Sequence, residues 1–107
     1  MQVLEYLDSG GRSPFANWFD GLPDPAAAKV TIALTRLRLG NLSNAKSIGA
    51  GVHEYRIDFG PGLRIYFGMD GETVVILLGV GTKRRQQSDI EQAQARWSHY
   101  KRRKREG

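Results

Sequence analysis

The sequence predicts one α+β domain over residues 1–107, with a two-helix hairpin packed on a mostly antiparallel sheet and a C-terminal helix. Three observations favour this class. Apolar residues recur with the helical period of 3.6 before residue 40, with the strand period of 2 between residues 52 and 80, and with the helical period again after residue 88. Turn residues separate these stretches. A chain of this length supports one modest core. The predicted element order is β-α-α-β-β-β-α.

The first strand and the helical hairpin come from the N-terminal forty residues. The apolar stretch Val3–Leu7 predicts a short strand that ends at Ser9-Gly10-Gly11. Ser13-Pro14 has the residues of an N-cap followed by proline in the first turn, and Asp24-Pro25 repeats this signal for a second helix that closes near Gly40. The aromatic stripe of the first helix is predicted to be core rather than a base-stacking surface. It comprises Phe15, Trp18, Phe19 and Leu22.

Three strands are predicted after a polar segment, residues 41–51, which is expected to be a loop. Residues 52–59 and 63–68 alternate between apolar and polar side chains, and Gly60-Pro61-Gly62 joins them as a tight hairpin. Residues 73–80 are continuously apolar, which is typical of a central strand covered on both faces.

The register expected for these strands gathers polar side chains on one face. A three-residue hairpin loop and a two-residue second turn predict specific cross-strand neighbours. These are Asp58–Arg64, Arg56–Tyr66, Tyr66–Val75 and Arg64–Leu77. Arg56, Arg64 and Tyr66 then share one face, turned away from the apolar side chains of the hairpin. Continued alternation through Gly79 and Gly81 brings Lys83 toward the same face.

Two interpretations of this face remain open. In the first, Asp58 and Arg64 form a surface ion pair worth less than ~1 kcal/mol. In the second, two guanidiniums, a phenol and an ammonium surround a phosphate, because arginine offers paired donors to phosphate oxygens and stays charged. Such a set suits metal-free cleavage of RNA by its own 2′-hydroxyl, in which charge stabilisation supplies most of the rate.

Other chemistries fit the sequence less well. The acidic residues are scattered and the chain has no cysteine, so neither a metal site nor any other cofactor is expected. His53 falls on the apolar side of its strand and is predicted to be structural. His99, in the last helix, is an acid/base candidate.

The last helix and its charge complete the description. Ser88 to Glu91 has capping-box spacing, and Ile90, Ala93 and Trp97 are expected to face the core. Up to Thr82 the chain carries seven Lys/Arg against eight Asp/Glu; beyond it, nine against three. This asymmetry favours a polyanion or an acidic protein as partner, although a solvated basic end over residues 101–107 explains it equally well. The sequence shows neither a signal peptide nor an apolar run of ~20 residues, so a cytoplasmic protein without membrane contact is expected.

Several stretches together resemble one family. They are Gly51–Ile57, Gly62–Phe67, Leu77–Lys83 and Gln87–Trp97, in this order and spacing. The chain is similar over nearly its whole length to the RelE/ParE superfamily of toxins, and in particular to its phage-derived, HigB-like subgroup.

The resemblance implies the toxin of a type II toxin–antitoxin system, neutralised by a cognate antitoxin. RelE- and HigB-like members cut mRNA on the ribosome, whereas ParE-like members inhibit DNA gyrase without nuclease activity; an inactive RNA-binding or antitoxin-docking module is a third interpretation. By resemblance, Arg64 matches the arginine that contacts the scissile phosphate, and Lys83 and Arg84 match the basic pair after the last strand. Tyr66 and His99 join Arg64 and Lys83 as catalytic candidates on chemical grounds. The expected RNA contacts are Arg56, Arg84, Arg85, Lys101 and Arg102.

Overall fold

The computed structural model describes the whole chain, Met1 to Gly107, as a five-stranded sheet with helices on both faces. In chain order the elements are β1 (Gln2–Glu5), α1 (Pro14–Asp20), α2 (Asp24–Arg38), β2 (Ala45–Gly49), β3 (Val52–Ile57), β4 (Leu63–Asp70), β5 (Val74–Thr82), a 3-10 turn (Lys83–Arg85) and α3 (Gln86–Glu106). The strand order is β1-β5-β4-β3-β2, and only β1 and β5 pair in parallel. The predicted α+β class is confirmed.

The first two helices begin where the sequence predicts. The Ser13 hydroxyl accepts a hydrogen bond of 3.0 Å from the backbone N–H of Ala16, which satisfies one of the free donors of the first turn of α1. Helix α2 begins at Asp24 and has Pro25 in its first turn, where the missing N–H costs nothing. None of the helices has the length and apolar composition needed to cross a membrane.

The predicted loop over residues 41–51 is wrong in part, because Ala45–Gly49 forms the edge strand β2. Only Ala45 and Ile48 of this strand are partly buried, so it lacks the alternation by which a strand is recognised. Ala50 and Gly51 connect it to β3 with φ values of 56° and 80°, which are the angles of a tight hairpin turn. Alanine gives no sequence signal for such a turn, and pairing with β3 decides the conformation instead.

The sheet carries a separate hydrophobic core on each face. Helices α1 and α2 cover the first, whose buried members are Phe15, Ala26, Val30, Ala33, Leu37, Tyr55, Ile57, Leu63, Ile65, Phe67, Val75 and Leu77. Helix α3 covers the second, whose buried members are Tyr6, Val52, Tyr66, Ile76, Leu78, Ala93 and Trp97. The aromatic stripe of α1 and Trp97 are therefore packed in the cores, as predicted.

The observed register differs from the predicted one but keeps the same faces. Arg56 pairs with Arg64 and Glu54 with Tyr66, because five residues rather than three connect β3 and β4. On the other side Tyr66 pairs with Gly79, after a bulge between Tyr66 and Phe67, and Arg64 pairs with Gly81. Shifts by an even number of residues preserve the alternation of side chains. The prediction that Arg56, Arg64 and Tyr66 share a face is confirmed, whereas the individual cross-strand partners are wrong.

Glycine on this face allows α3 to lie directly on the sheet. Gly68 is buried against Trp97, and a Cβ atom at Gly68 would lie 2.5 Å from the indole ring. A Cβ atom at Gly79 would lie 2.6 Å from Nη1 of Arg96, which is the far end of a flexible side chain. The close approach at Gly68 is the more constrained of the two, since the Trp97 ring is itself packed in the core.

We expect Gly68→Ala to lower the free energy of unfolding by about 1–3 kcal/mol, because the added methyl group overlaps the buried indole of Trp97. Gly79→Ala is the matched control: it adds the same methyl group on the same face, where only the end of Arg96 must move. Urea denaturation measures both. Equal midpoints for the two variants would show that the approach of α3 at Gly68 is not tight.

Candidate functional site

A groove of about 540 Å³ lies at the end of the β3–β4 hairpin. Its walls are the start of β2 with the preceding loop, the end of β3 and the start of β4. Three cationic side chains line it, Lys46, Arg56 and Arg64, together with one carboxylate, Asp58. The groove therefore presents a concentration of positive charge at one end of the sheet.

Arg64 is paired with a fully buried carboxylate beside this groove. Nε of Arg64 lies 3.5 Å from Oε1 of Glu54, and the two side chains are 5% and 0% exposed. Nε2 of Gln86, at the start of α3, donates a hydrogen bond of 2.9 Å to Oε2 of Glu54. Nζ of Lys46 lies 3.9 Å from Oε1 of Glu54. Strands β2, β3 and β4 and helix α3 thus all contribute to holding one buried charge pair.

The guanidinium of Arg64 keeps hydrogen-bond donors free. Its Nε and Nη1 atoms are buried and have no hydrogen-bond partner, and Oε1 of Glu54 has none either. The 3.5 Å contact is consequently a charge attraction without a directed hydrogen bond. An unpaired buried polar group costs about 1–3 kcal/mol, so this arrangement lowers the stability of the fold. Arg64 also lines the groove, so its guanidinium can attract an oxyanion bound there.

Tyr66 is buried beneath α3 and does not line the groove, contrary to the outward position expected from the sequence. Its hydroxyl lacks a hydrogen-bond partner, and its ring packs in the core with Trp97. Burial, with the nearby carboxylates of Glu54 and Asp89, raises the pKa of the Tyr66 phenol far above its ordinary value. The alternation of the strand identified the face correctly, but α3 covers that part of it.

The basic turn Lys83–Arg85 lies at the same end of the sheet as Arg64. Thr82, the last residue of β5, pairs with Leu63, the residue before Arg64. Lys83, Arg84 and Arg85 are exposed. The structure thus brings Lys83 to the vicinity of Arg64, as predicted. The prediction that Lys83 gets there by continued strand alternation is wrong, because Lys83 begins a 3-10 turn.

His99 lies far from Arg64. Gln86 contacts the Glu54–Arg64 pair, and His99 is thirteen residues further along α3, which is about 20 Å along the helix axis. Nδ1 of His99 shares a hydrogen bond of 2.6 Å with the hydroxyl of Tyr6. The expected grouping of His99 with Arg64 is therefore wrong, because α3 extends straight away from the groove.

The two other basic candidates of α3 also lie toward its C-terminal end. Lys101 and Arg102 are exposed, and the helix continues to Glu106. Nζ of Lys101 lies 5.7 Å from the centre of the Trp97 ring.

Sequence patterns alone do not identify three residues of this site. Glu54 falls on the correct face, but its burial depends on α3. Lys46 falls in the segment predicted to be a loop. Gln86 precedes the residues from which the last helix is predicted to start. Of these three residues, only Glu54 lies in a stretch predicted to be a strand, where alternation assigns it to the face of Arg56.

We expect Glu54→Leu to lower the free energy of unfolding by about 3–5 kcal/mol, because it leaves the Arg64 charge buried without its partner. The control is the double variant Glu54→Leu/Arg64→Met, which replaces the pair by apolar side chains of similar size and should be far less destabilised. Urea denaturation of both variants and the wild type measures the difference. A single variant as stable as the double variant would contradict the buried charge pair.

Comparison with known proteins places the chain in a family. Residues 17–98 match the family model described as phage-derived protein Gp49-like (DUF891). An uncharacterized protein of Haemophilus influenzae is 40% identical over 80 residues, which cover 74% of this chain and 81% of that protein. The matched family segment includes β2 to β5, the basic turn and most of α3, and so contains the whole groove. The chain belongs to the phage-derived Gp49-like family, one of the RelE/ParE-like toxin families.

Proposed function

We propose that this protein is the HigB-like toxin of a type II toxin–antitoxin system and that it cleaves mRNA on the ribosome, in the cytoplasm, without a metal or another cofactor. Membership in a RelE/ParE-like toxin family supports the toxin role and a cognate antitoxin as partner. The observation that carries the cleavage proposal is Arg64, whose guanidinium lies beside the buried carboxylate of Glu54 and lines a basic groove.

The proposed reaction uses the RNA as its own nucleophile. The 2′-hydroxyl oxygen forms a bond to the adjacent phosphorus, and the bond from phosphorus to the 5′-oxygen breaks. The 2′-hydroxyl proton passes to water, and the leaving 5′-oxygen takes a proton from water. The products are a 2′,3′-cyclic phosphate and a 5′-hydroxyl. Negative charge grows on the phosphate oxygens in the pentacovalent state, where Arg64 would donate hydrogen bonds and Lys83 would add positive charge.

Glu54 makes Arg64 suitable for this role by fixing its position. The carboxylate attracts Nε at 3.5 Å and is itself held by Gln86, so the guanidinium has little freedom to turn. Donors that are oriented before the reaction need no reorganisation when charge develops, which is the largest single contribution in many enzymes. Glu54 is therefore assigned as a positioning residue.

The proposal gives Tyr66 and His99 no part in proton transfer. Tyr66 is fully buried and does not line the groove. His99 forms a hydrogen bond with Tyr6, and it lies about 20 Å along α3 from Gln86, the residue that contacts Glu54. Charge stabilisation and positioning by Arg64 and Lys83 are the chemistry that the proposal assigns to the protein.

The remaining basic side chains are proposed to bind RNA through its phosphates. Arg56 lines the groove, Arg84 and Arg85 lie on the exposed basic turn, and Lys101 and Arg102 lie on the exposed part of α3. Contacts of this kind are independent of base sequence and weaken with added salt, which suits both mRNA and ribosomal RNA. A cognate antitoxin would neutralise the toxin by covering this charge with an acidic segment.

We expect Arg64→Lys to reduce mRNA cleavage by about 100-fold or more, because lysine keeps the charge beside Glu54 but lacks the paired donors of the guanidinium. Lysine is preferred to alanine, which would leave Glu54 buried and unpaired. Arg38→Ala, an exposed position on α2 outside the groove, is the control. Mapping mRNA 5′ ends after induced expression measures cleavage, and thermal unfolding checks the fold. Undiminished cutting by folded Arg64→Lys would remove Arg64 from the catalytic role.

Cells in which wild-type protein is expressed also distinguish mRNA cleavage from the two alternative functions. A ParE-like gyrase inhibitor would change plasmid supercoiling and leave mRNA intact, and an inactive RNA-binding or antitoxin-docking module would not arrest growth. Expression with and without the candidate antitoxin shows whether growth arrest is neutralised. Either alternative outcome would overturn the proposed nuclease activity.

A further inference from the structure

A second groove, of about 200 Å³, lies between α2 and the β3–β4 hairpin, next to the first. The two grooves share Asn44, Arg56, Ile57 and Asp58 in their walls. The second adds Lys29 and Arg36 from α2. The two grooves therefore meet at the end of β3, where Arg56 borders both. Arg64 lines the first groove, on the sheet face covered by α3, and α2 lines the second, on the opposite face.

Three cations in the walls of these two grooves are free to bind a ligand. Lys29, Arg36 and Arg56 are exposed, and no carboxylate oxygen lies within 4.0 Å of any of them. Their side chains make no hydrogen bonds within the protein either, in contrast to Arg96, which is bonded to the carbonyl of Leu78. Since these three charges support no contact of the fold, their position along two adjoining grooves suits an external polyanion.

The helix geometry sets the spacing of the two cations on α2. Lys29 and Arg36 are seven residues apart, which is two helical turns, so they lie on the same side of α2 about 10 Å apart along its axis. The buried residues of α2, among them Val30 and Leu37, lie about 100° around the helix from these two cations. The packing of α2 on the sheet therefore presents Lys29 and Arg36 together at the rim of the groove.

We propose that Arg64, Arg56, Arg36 and Lys29 form one basic track that holds the phosphates of a single RNA strand on one side of the cleavage site. The inference rests on the proposed function, because the cleaved phosphate is placed at Arg64. A polynucleotide fits better than an acidic peptide, since its charges repeat at every residue and the walls are mostly polar or charged. The only free carboxylate in the walls is Asp58. Such contacts position the strand and do not select its bases.

The track is tested with an oligoribonucleotide whose 2′-hydroxyls are methylated. Because this RNA lacks the attacking hydroxyl, its binding is measured apart from cleavage. The double variant Lys29→Ala/Arg36→Ala should bind more weakly. The slope of log affinity against log salt should fall by about 1.4, since each phosphate that the protein no longer neutralises lowers it by ~0.7. Arg38→Ala is the control, because Arg38 is exposed on the same helix but lines neither groove.

The outcomes separate this inference from the proposed function. A double variant with the same slope as Arg38→Ala would overturn the track, even if the wild type cuts mRNA. Wild-type protein that shows no salt-dependent binding would overturn it as well. If the double variant no longer binds polyglutamate but binds the methylated RNA as well as the wild type does, the occupant of these grooves is an acidic protein instead. Wild-type protein that binds the methylated RNA along this track and leaves mRNA intact would support the track and contradict the nuclease activity.

Discussion

Helix α3 lies across the sheet face that carries Glu54, Arg64 and Tyr66, and the proposed site depends on this contact. Gly68 accepts the Trp97 ring where any side chain would overlap it. The strand alternation of β3 and β4 would otherwise leave these polar side chains in water. With α3 in place, Glu54 and Tyr66 are fully buried and Arg64 is 5% exposed. The helix thus converts an ordinary charged strand surface into a fixed charge pair.

Such a pair is a poor source of stability but a good means of orientation. Removing two charges from water costs several kcal/mol for each, and attraction at 3.5 Å without a directed hydrogen bond offsets only part of that cost. The benefit is that the Arg64 guanidinium keeps one position in the wall of the groove. This is the arrangement that stabilisation of a developing oxyanion requires, because the donors need not move during the reaction.

Positive charge is distributed differently in space than along the chain. The sequence concentrates it after Thr82, yet the cations around the grooves come from α2, β2, β3 and β4, which lie in the part of the chain with a small net negative charge. The C-terminal part of α3 is anchored elsewhere. Nζ of Lys104 donates a hydrogen bond of 2.6 Å to Oδ1 of Asp70, and together with Tyr100 it lowers the pKa of that carboxyl. The grooves and the helix end are therefore separate basic surfaces.

The sequence by itself determined the order of the elements other than β2, the starts of α1 and α2, and the face on which Arg56, Arg64 and Tyr66 lie. These follow from local rules, namely hydrophobic period, capping residues and strand alternation, which short stretches of chain express on their own. Tertiary structure alone decided the edge strand β2, the cross-strand partners, the burial of Glu54 and Tyr66 and the distance of His99 from Arg64. Each of these depends on which distant segments pack together, and no local pattern encodes that α3 covers one half of the sheet face and leaves the Arg64 groove open.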